Sequence, residues 1–219
     1  AKEIAQWLSA ESNGTVELAV EWRPNDRVVA LSRPFPIEGS KEFQLVLETL
    51  HTTRQTLEVP EDLLLAEGRL LGLTYRQAAT NASSLAAATA QELLSIGPII
   101  VLPCGPDWTW DLARRFKRES NRREVTDDVA LVQRFLSAEF GEDYELSSLL
   151  EFGVGVHHSG LSDEARRLIE WLFEREQLPV LVATTTIAQG VNFPVAGVVV
   201  AQHLQWDGRR SAPMSPADF

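Results

Sequence analysis

The sequence is short of cysteine: Cys104 is the only one in 219 residues. An internal disulfide is therefore excluded, and a reducing compartment, the cytoplasm, is the expectation. One cysteine and four histidines also leave too few ligands for a zinc cluster, so no metal site is expected. No apolar run approaches the roughly 18 residues of a membrane span. The first residues, AKEIAQWLSAES, lack the basic start and apolar middle of a secretory leader. No membrane partner is expected. Positive charge is in deficit, with 20 Lys and Arg against 31 Asp and Glu, a net charge of −11. That excludes coating a polyanion by bulk charge, but leaves room for a local basic groove. A GxxxxGK loop followed by Ser or Thr is absent, and so is a GxSxG nucleophile elbow. Cys104 follows Pro103 with no evident basic partner to activate it. No residue of this chain is assigned a catalytic role.

What is present is globular composition, 44% hydrophobic and 23% charged, enough for one large domain or two small ones. Residues 2–9 read as a helix, and its start at residue 1 without a cap suggests a chain cut from something longer. Residues 15–22 and RVVALSRPF read as strands. Prolines 34, 36 and 60 mark a connecting stretch with a short helix or strand near FQLVLETL. Residues 61–95 read as helical. IIVLP is then a strand, and PDWTWDLARRFKRE is a helix with Asp107 as its N-cap. DDVALVQRFLSAEF is a further helix, and ELSSLLEF leads into the strand GVGVHHSG. SDEARRLIEWLFERE carries the clearest helical pattern: Ser162 caps it, and Ala165, Leu168, Ile169, Leu172 and Phe173 form one stripe. LPVLVAT and VAGVVVAQ are apolar strands. Strands of this kind alternating with helices predict a parallel sheet covered on both faces, with its ligand beyond the carboxyl ends of the strands.

The stretch VATTTIAQGVNFP leaves one such strand end. Thr184, Thr185 and Thr186 bring hydroxyls and amides, Gly190 permits close backbone approach, and Asn192 can donate and accept on one side chain. Nothing in the set titrates near neutral pH, so it suits phosphate and sugar contacts better than proton transfer. A turn capped by threonines would use the same residues. His157 and His158 are adjacent in a strand and so point to opposite faces, a poor chelate. RRFKRESNRR concentrates six cations, either as a solvated helix face or as a local groove.

The order HHSGLSDEARRLIEWLFE, LPVLVATTTIAQGVNFP, VAGVVVAQ resembles the second RecA-like domain of superfamily-two DExD/H-box helicases, in particular the superkiller-type (Ski-two-like) branch. There an HHAGL-like segment precedes a helix, and a strand ends in VATxTLAxGVNxP. EWRPNDRVVAL is similar to the Arg-Pro crossover into that domain. GPIIVLPCGPDWTWDLARRF is similar to its motif IV, although VLPCGP departs from the usual pattern. The resemblance implies a RecA-like α/β fold of the P-loop NTPase type and three divisions. Residues 1–33 would end the first RecA-like domain and cross over. Residues 34–95 would be a connecting, mainly helical segment. Residues 96–219 would be the second domain, truncated before the QxxGRxGR motif; Arg209 and Arg210 lie too early to be its arginine finger.

The same resemblance implies that Thr184 and Thr185 contact the phosphates of a bound strand, with His158, Ser159 and Gly160 flanking its path. Gly190 and Asn192 would face the nucleotide. ATP and Mg2+ would serve the parent protein and not bind this chain tightly, and the isolated chain would be inactive. The implied partners are single-stranded or duplex nucleic acid and the first RecA-like domain of the parent. The implied function is that of an ATP-dependent DNA or RNA helicase coupling hydrolysis to translocation or unwinding. The alternative is a RecA-like nucleic-acid-binding or scaffolding module in a parent without helicase activity.

Overall fold

In a computed structural model, the structure describes residues 27–52, 60–103, 106–184, 187, 193–201, 204–206 and 211–213. The helix expected at 2–9 and the strand at 15–22 lie outside them. The first described element is β1 (Val28–Pro36), which pairs antiparallel with β2 (Phe43–Thr52). Pro34 and Pro36 fit here because β1 is an edge strand, where a missing N–H costs no ladder bond. The period of two is clear in β2, with Phe43 and Leu45 fully buried and Gln44 and Val46 on the other side.

A third strand, β3 (Asp62–Gly68), completes this sheet in the order β1-β2-β3. This corrects the helical reading of residues 61–95 and the mainly helical character given to 34–95. The LLLAE of DLLLAEG consists of strong helix formers, but β2 offers it a paired edge, with Val46 opposite Leu64 and Leu47 opposite Leu63. Cross-strand packing overrides local propensity here. After one 3-10 turn (Leu70–Gly72), α-helix begins at α1 (Tyr75–Thr80), where Thr74 and Gln77 form a capping box. Next comes α2 (Ala82–Leu93), capped by the Asn81 side chain. Its small residues, Ala86, Ala87, Ala88 and Ala90, are buried and let the helix approach its neighbours closely. Ser32 Oγ of β1 and Thr89 Oγ1 of α2 lie 2.6 Å apart. The antiparallel sheet, α2 and the following sheet thus share one apolar core.

The second sheet is parallel and four-stranded: β4 (Ile99–Leu102), β5 (Val154–His157), β6 (Val180–Ala183) and β7 (Gly197–Val200), in the order β5-β6-β4-β7. Between β4 and β5 run α3 (Pro106–Glu119), α4 (Asp127–Phe140) and α5 (Glu145–Leu150); α6 (Asp163–Glu174) joins β5 to β6. Asp107 is not the N-cap of α3. The helix already includes Pro106, whose fixed φ and missing N–H suit a first helical position, so Asp107 sits in the first turn. Ser162 does cap α6, accepting from the Ala165 amide at 3.2 Å. Ala165, Ile169, Leu172 and Phe173 are buried as the stripe requires.

The step from β4 to β5 passes over β6, and the step from β5 to β6 returns. Right-handed crossovers then put α3 and α6 on opposite faces. The contacts agree: Gly155 and His157 face α6, where a Cβ built on Gly155 would lie 3.3 Å from Ile169 Cγ2. Both faces of the sheet are therefore covered, as expected. A short antiparallel pair, β8 (Leu204–Trp206) and β9 (Ser211–Pro213), follows and was not anticipated.

Candidate nucleic-acid interface at the strand ends

β6 lies between β5 and β4, so its carboxyl end opens at the middle of the sheet rim. Its ladder with β5 ends at His157 opposite Ala183, and one further bond extends it: the Thr184 amide donates to the His157 carbonyl at 3.0 Å. His158 and Thr184 consequently leave the sheet side by side. After His158 the chain turns, with the Leu161 amide donating to the His158 carbonyl at 3.1 Å. Ser159 and Gly160 are exposed on that turn. After Thr184, the Ile187 amide donates to the Thr184 carbonyl at 3.1 Å, and Ile187 is buried. Phe193 packs edge-on against Phe173 of α6, with centroids 5.3 Å apart. The loop is anchored at entry and exit. Four of the expected site residues, Thr184, His158, Ser159 and Gly160, are thus brought to one rim; Thr185, Gly190 and Asn192 lie outside the described residues.

The two histidines go opposite ways, as their strand positions require. His157 is buried and its Nε2 lies 2.7 Å from Glu170 Oε1 on α6. Its Nδ1 has no hydrogen-bond partner among the described residues. His158 faces α3. The Trp110 indole N–H approaches His158 Nε2 at 3.0 Å, and the Gly160 amide approaches Nδ1 at 3.0 Å. A neutral imidazole has one lone pair, so these two donors compete for a single acceptor. Burial pushes the His158 pKa below its ordinary value, assisted by the nearby charges of His157 and Arg166. At neutral pH this ring is an uncharged acceptor. It holds the turn in position and offers no cation to a phosphate. Gly160 permits the arrangement: a Cβ there would lie 2.9 Å from both Cε1 and Nδ1 of His158.

Trp110 was not found in the sequence reading. The only local signal was WTW, in which residues two apart point to different sides of a helix. Which indole meets His158 depends on how α3 lies on β5. No group of three or more His, Cys, Asp or Glu able to hold a metal occurs among the described residues. No helix among them is long and apolar enough to cross a membrane.

The family described as the helicase conserved C-terminal domain matches residues 120–213, a stretch that includes both rim segments. Residues 120–213 are thus similar to a helicase conserved C-terminal domain. Their motif order is that of the Ski-two-like branch of superfamily two, and the covered parallel sheet is the RecA-like fold of such domains. Activating signal cointegrator 1 complex subunit 3 of Danio rerio is 37% identical over 89 residues, which is 41% of this chain and 5% of that protein. DExH-box ATP-dependent RNA helicase DExH14 of Arabidopsis thaliana is 42% identical over 67 residues, 31% of this chain and 3% of that protein. ATP-dependent DNA helicase Hel308 of Pyrobaculum calidifontis is 47% identical over 73 residues, 32% of this chain and 10% of that protein. The chain therefore spans a small part of the length of the curated relatives it matches. Within the helicase C-terminal domain, His158 and its turn, α6 and the Thr184 loop form one continuous run. Trp110 precedes the matched stretch.

Proposed function

We propose that this helicase C-terminal domain is one half of an ATP-driven grip on a nucleic-acid strand. In this reading Thr184 and Thr185 bind backbone phosphates through hydroxyls and amides, contacts that hold a strand without reading its sequence. Ser159 and Gly160 border the same path, and the neutral His158 keeps their turn in register. Gly190 and Asn192 face the nucleotide across a cleft completed by the first RecA-like domain of a longer protein. ATP supplies the free energy by phosphoryl transfer when bound there. None of the ligands of the accompanying magnesium is assigned to this chain. The lysine of a phosphate cradle is absent from the sequence, so this chain alone is expected not to hydrolyse ATP.

The observation that supports this reading is the bond from the Thr184 amide to the His157 carbonyl at 3.0 Å, because it makes two motif loops neighbours on one rim. The names of matched relatives include both an RNA and a DNA helicase, so the proposed ligand is a single strand of either kind. The test is Thr184→Ala in the full-length protein, with ATP hydrolysis and the unwinding of a tailed duplex measured together. Retained hydrolysis with unwinding lowered at least about tenfold, roughly 1.4 kcal/mol of coupling, is expected. Unwinding at the unmodified rate would refute the grip.

A further inference from the structure

The cations of the basic run RRFKRESNRR differ in their partners. Three of them are held by neighbouring side chains. Arg114 donates to Glu145 from Nε at 2.6 Å and from Nη2 at 2.8 Å, and to Asp111 from Nη1 at 3.0 Å. Lys117 Nζ donates to Ser148 Oγ at 2.9 Å and lies over the Phe152 ring. Arg122 pairs with Glu151 at 2.9 Å. Arg115 and Arg118 lie about 60° apart around the helix, and Arg118, four residues after Arg114, shares a side with it. Neither Arg115 nor Arg118 forms an ion pair among the described residues. Together with Trp108, Asp111, Leu112, the paired Arg114 and Ser84 of α2 they line a cleft between α2 and α3 of about 180 Å³.

Three properties of this cleft point to its ligand. Trp108 is a large aromatic left 39% exposed, in the first turn of α3 and hence at the rim reached by β4. Arg115 and Arg118 lie seven and ten residues further on, a stripe of about 15 Å along the helix. The Arg115 pKa is lowered, first by burial and then by the positive charge of Arg118, and the neighbouring charges of Glu119 and Asp111 do not reverse this. Two like charges held together in a partly dry cleft favour an anion between them. The volume is well short of the roughly 300 Å³ that encloses a drug-sized ligand, so a chain lying across it fits better than an engulfed small molecule. An exposed indole beside planar guanidiniums is a stacking surface for bases as well as an anion site, whereas an acidic peptide would use the charge alone.

We propose that the α2–α3 cleft is a second contact for a single nucleic-acid strand, with a base stacked on Trp108 and flanking phosphates held by Arg115 and Arg118. It would extend the strand path from the Thr184 rim along α3, and it rests on the nucleic-acid reading of that rim. The test uses the 219-residue chain and fluorescein-labelled oligo(dT) and oligo(U) at low salt, with binding followed by anisotropy. Trp108→Ala should weaken binding at least about fivefold, as loss of one stacked base does. Arg115→Ala/Arg118→Ala should weaken it about tenfold or more and reduce the slope of log affinity against log salt by about one to two. Arg122→Ala, outside the cleft and paired with Glu151, should bind as the unmodified chain does. Photo-crosslinks from a 4-thiouridine-bearing strand should fall within residues 106–119. Binding lost in Thr184→Ala but unchanged in the cleft variants would overturn the cleft and leave the rim grip standing. The opposite pattern would support the cleft and remove the grip. A poly-glutamate peptide that displaces the strand at equal concentration would also overturn the proposal, in favour of an acidic protein partner.

Discussion

Trp110→Phe isolates the contact that holds the His158 turn. The phenyl ring keeps an aromatic edge near the imidazole but removes the donor that lies 3.0 Å from Nε2. A typical net hydrogen bond is worth about 0.5–1.5 kcal/mol. Here the Gly160 amide competes for the same lone pair, at 3.0 Å from Nδ1, and inherits it when the indole N–H is gone. The hydrogen-bond loss therefore falls at the lower end, and the void left by the larger ring brings the total to about 1 kcal/mol. In a chain of this length that lowers Tm by roughly 2–4 °C.

The pH profile provides a second reading of the same contact. Burial is the largest cause of the depressed His158 pKa, so the unfolded chain binds more protons than the folded one just below pH 6.5. Stability rises with pH through that window and is lost as pH falls through it. A smaller ring at 110 admits water, moves the pKa back toward 6.5 and makes the acid loss shallower. Urea unfolding followed by circular dichroism between pH 5 and 8 measures both effects, and a double-mutant cycle with His158→Ala isolates the pair. Coupling under about 0.3 kcal/mol together with an unaltered acid limb would refute the role assigned to Trp110.

Two further substitutions probe the layer beneath the rim. Gly155→Ala sets a Cβ 2.7 Å from Leu181 Cδ1 and 3.0 Å from Leu178 Cδ1, both in fully buried residues, and should cost about 1–3 kcal/mol in chemical denaturation. An unchanged midpoint would mean that α6 can lift off β5 freely. Glu170→Ala removes the partner of His157 Nε2, a ring whose Nδ1 already lacks one among the described residues. A loss of about 1–3 kcal/mol in thermal unfolding is expected. Retained stability would mean that water reaches this buried imidazole.

Much of the parallel unit was legible because its signals are local. Continuous apolar strands, the Ser162 cap and the 3.6-residue stripe of α6 each lie within one short segment, and each is where the pattern put it. DLLLAEG was misread because its helix propensity is local, whereas the strand edge that captures it, β2, is remote in sequence. The rim was half legible. Residue types marked Thr184 and the His158 turn, and the order of the motifs marked their kinship. Their adjacency required the register of β5 on β6.

What the sequence determined by itself was the class of fold, the strand-end location of the polar loop and the exclusion of an internal disulfide. Those follow from composition and from periods of two and 3.6. Only the tertiary structure decided that Trp110, 48 residues away, meets His158. It also decided that Glu145 of α5 pairs with Arg114 while Arg115 and Arg118, in the same cleft, form no ion pair among the described residues. Helical geometry separates neighbouring arginines by about 100° in any context. Which of them finds a carboxylate depends on the helix packed alongside, and that packing is set by the whole core.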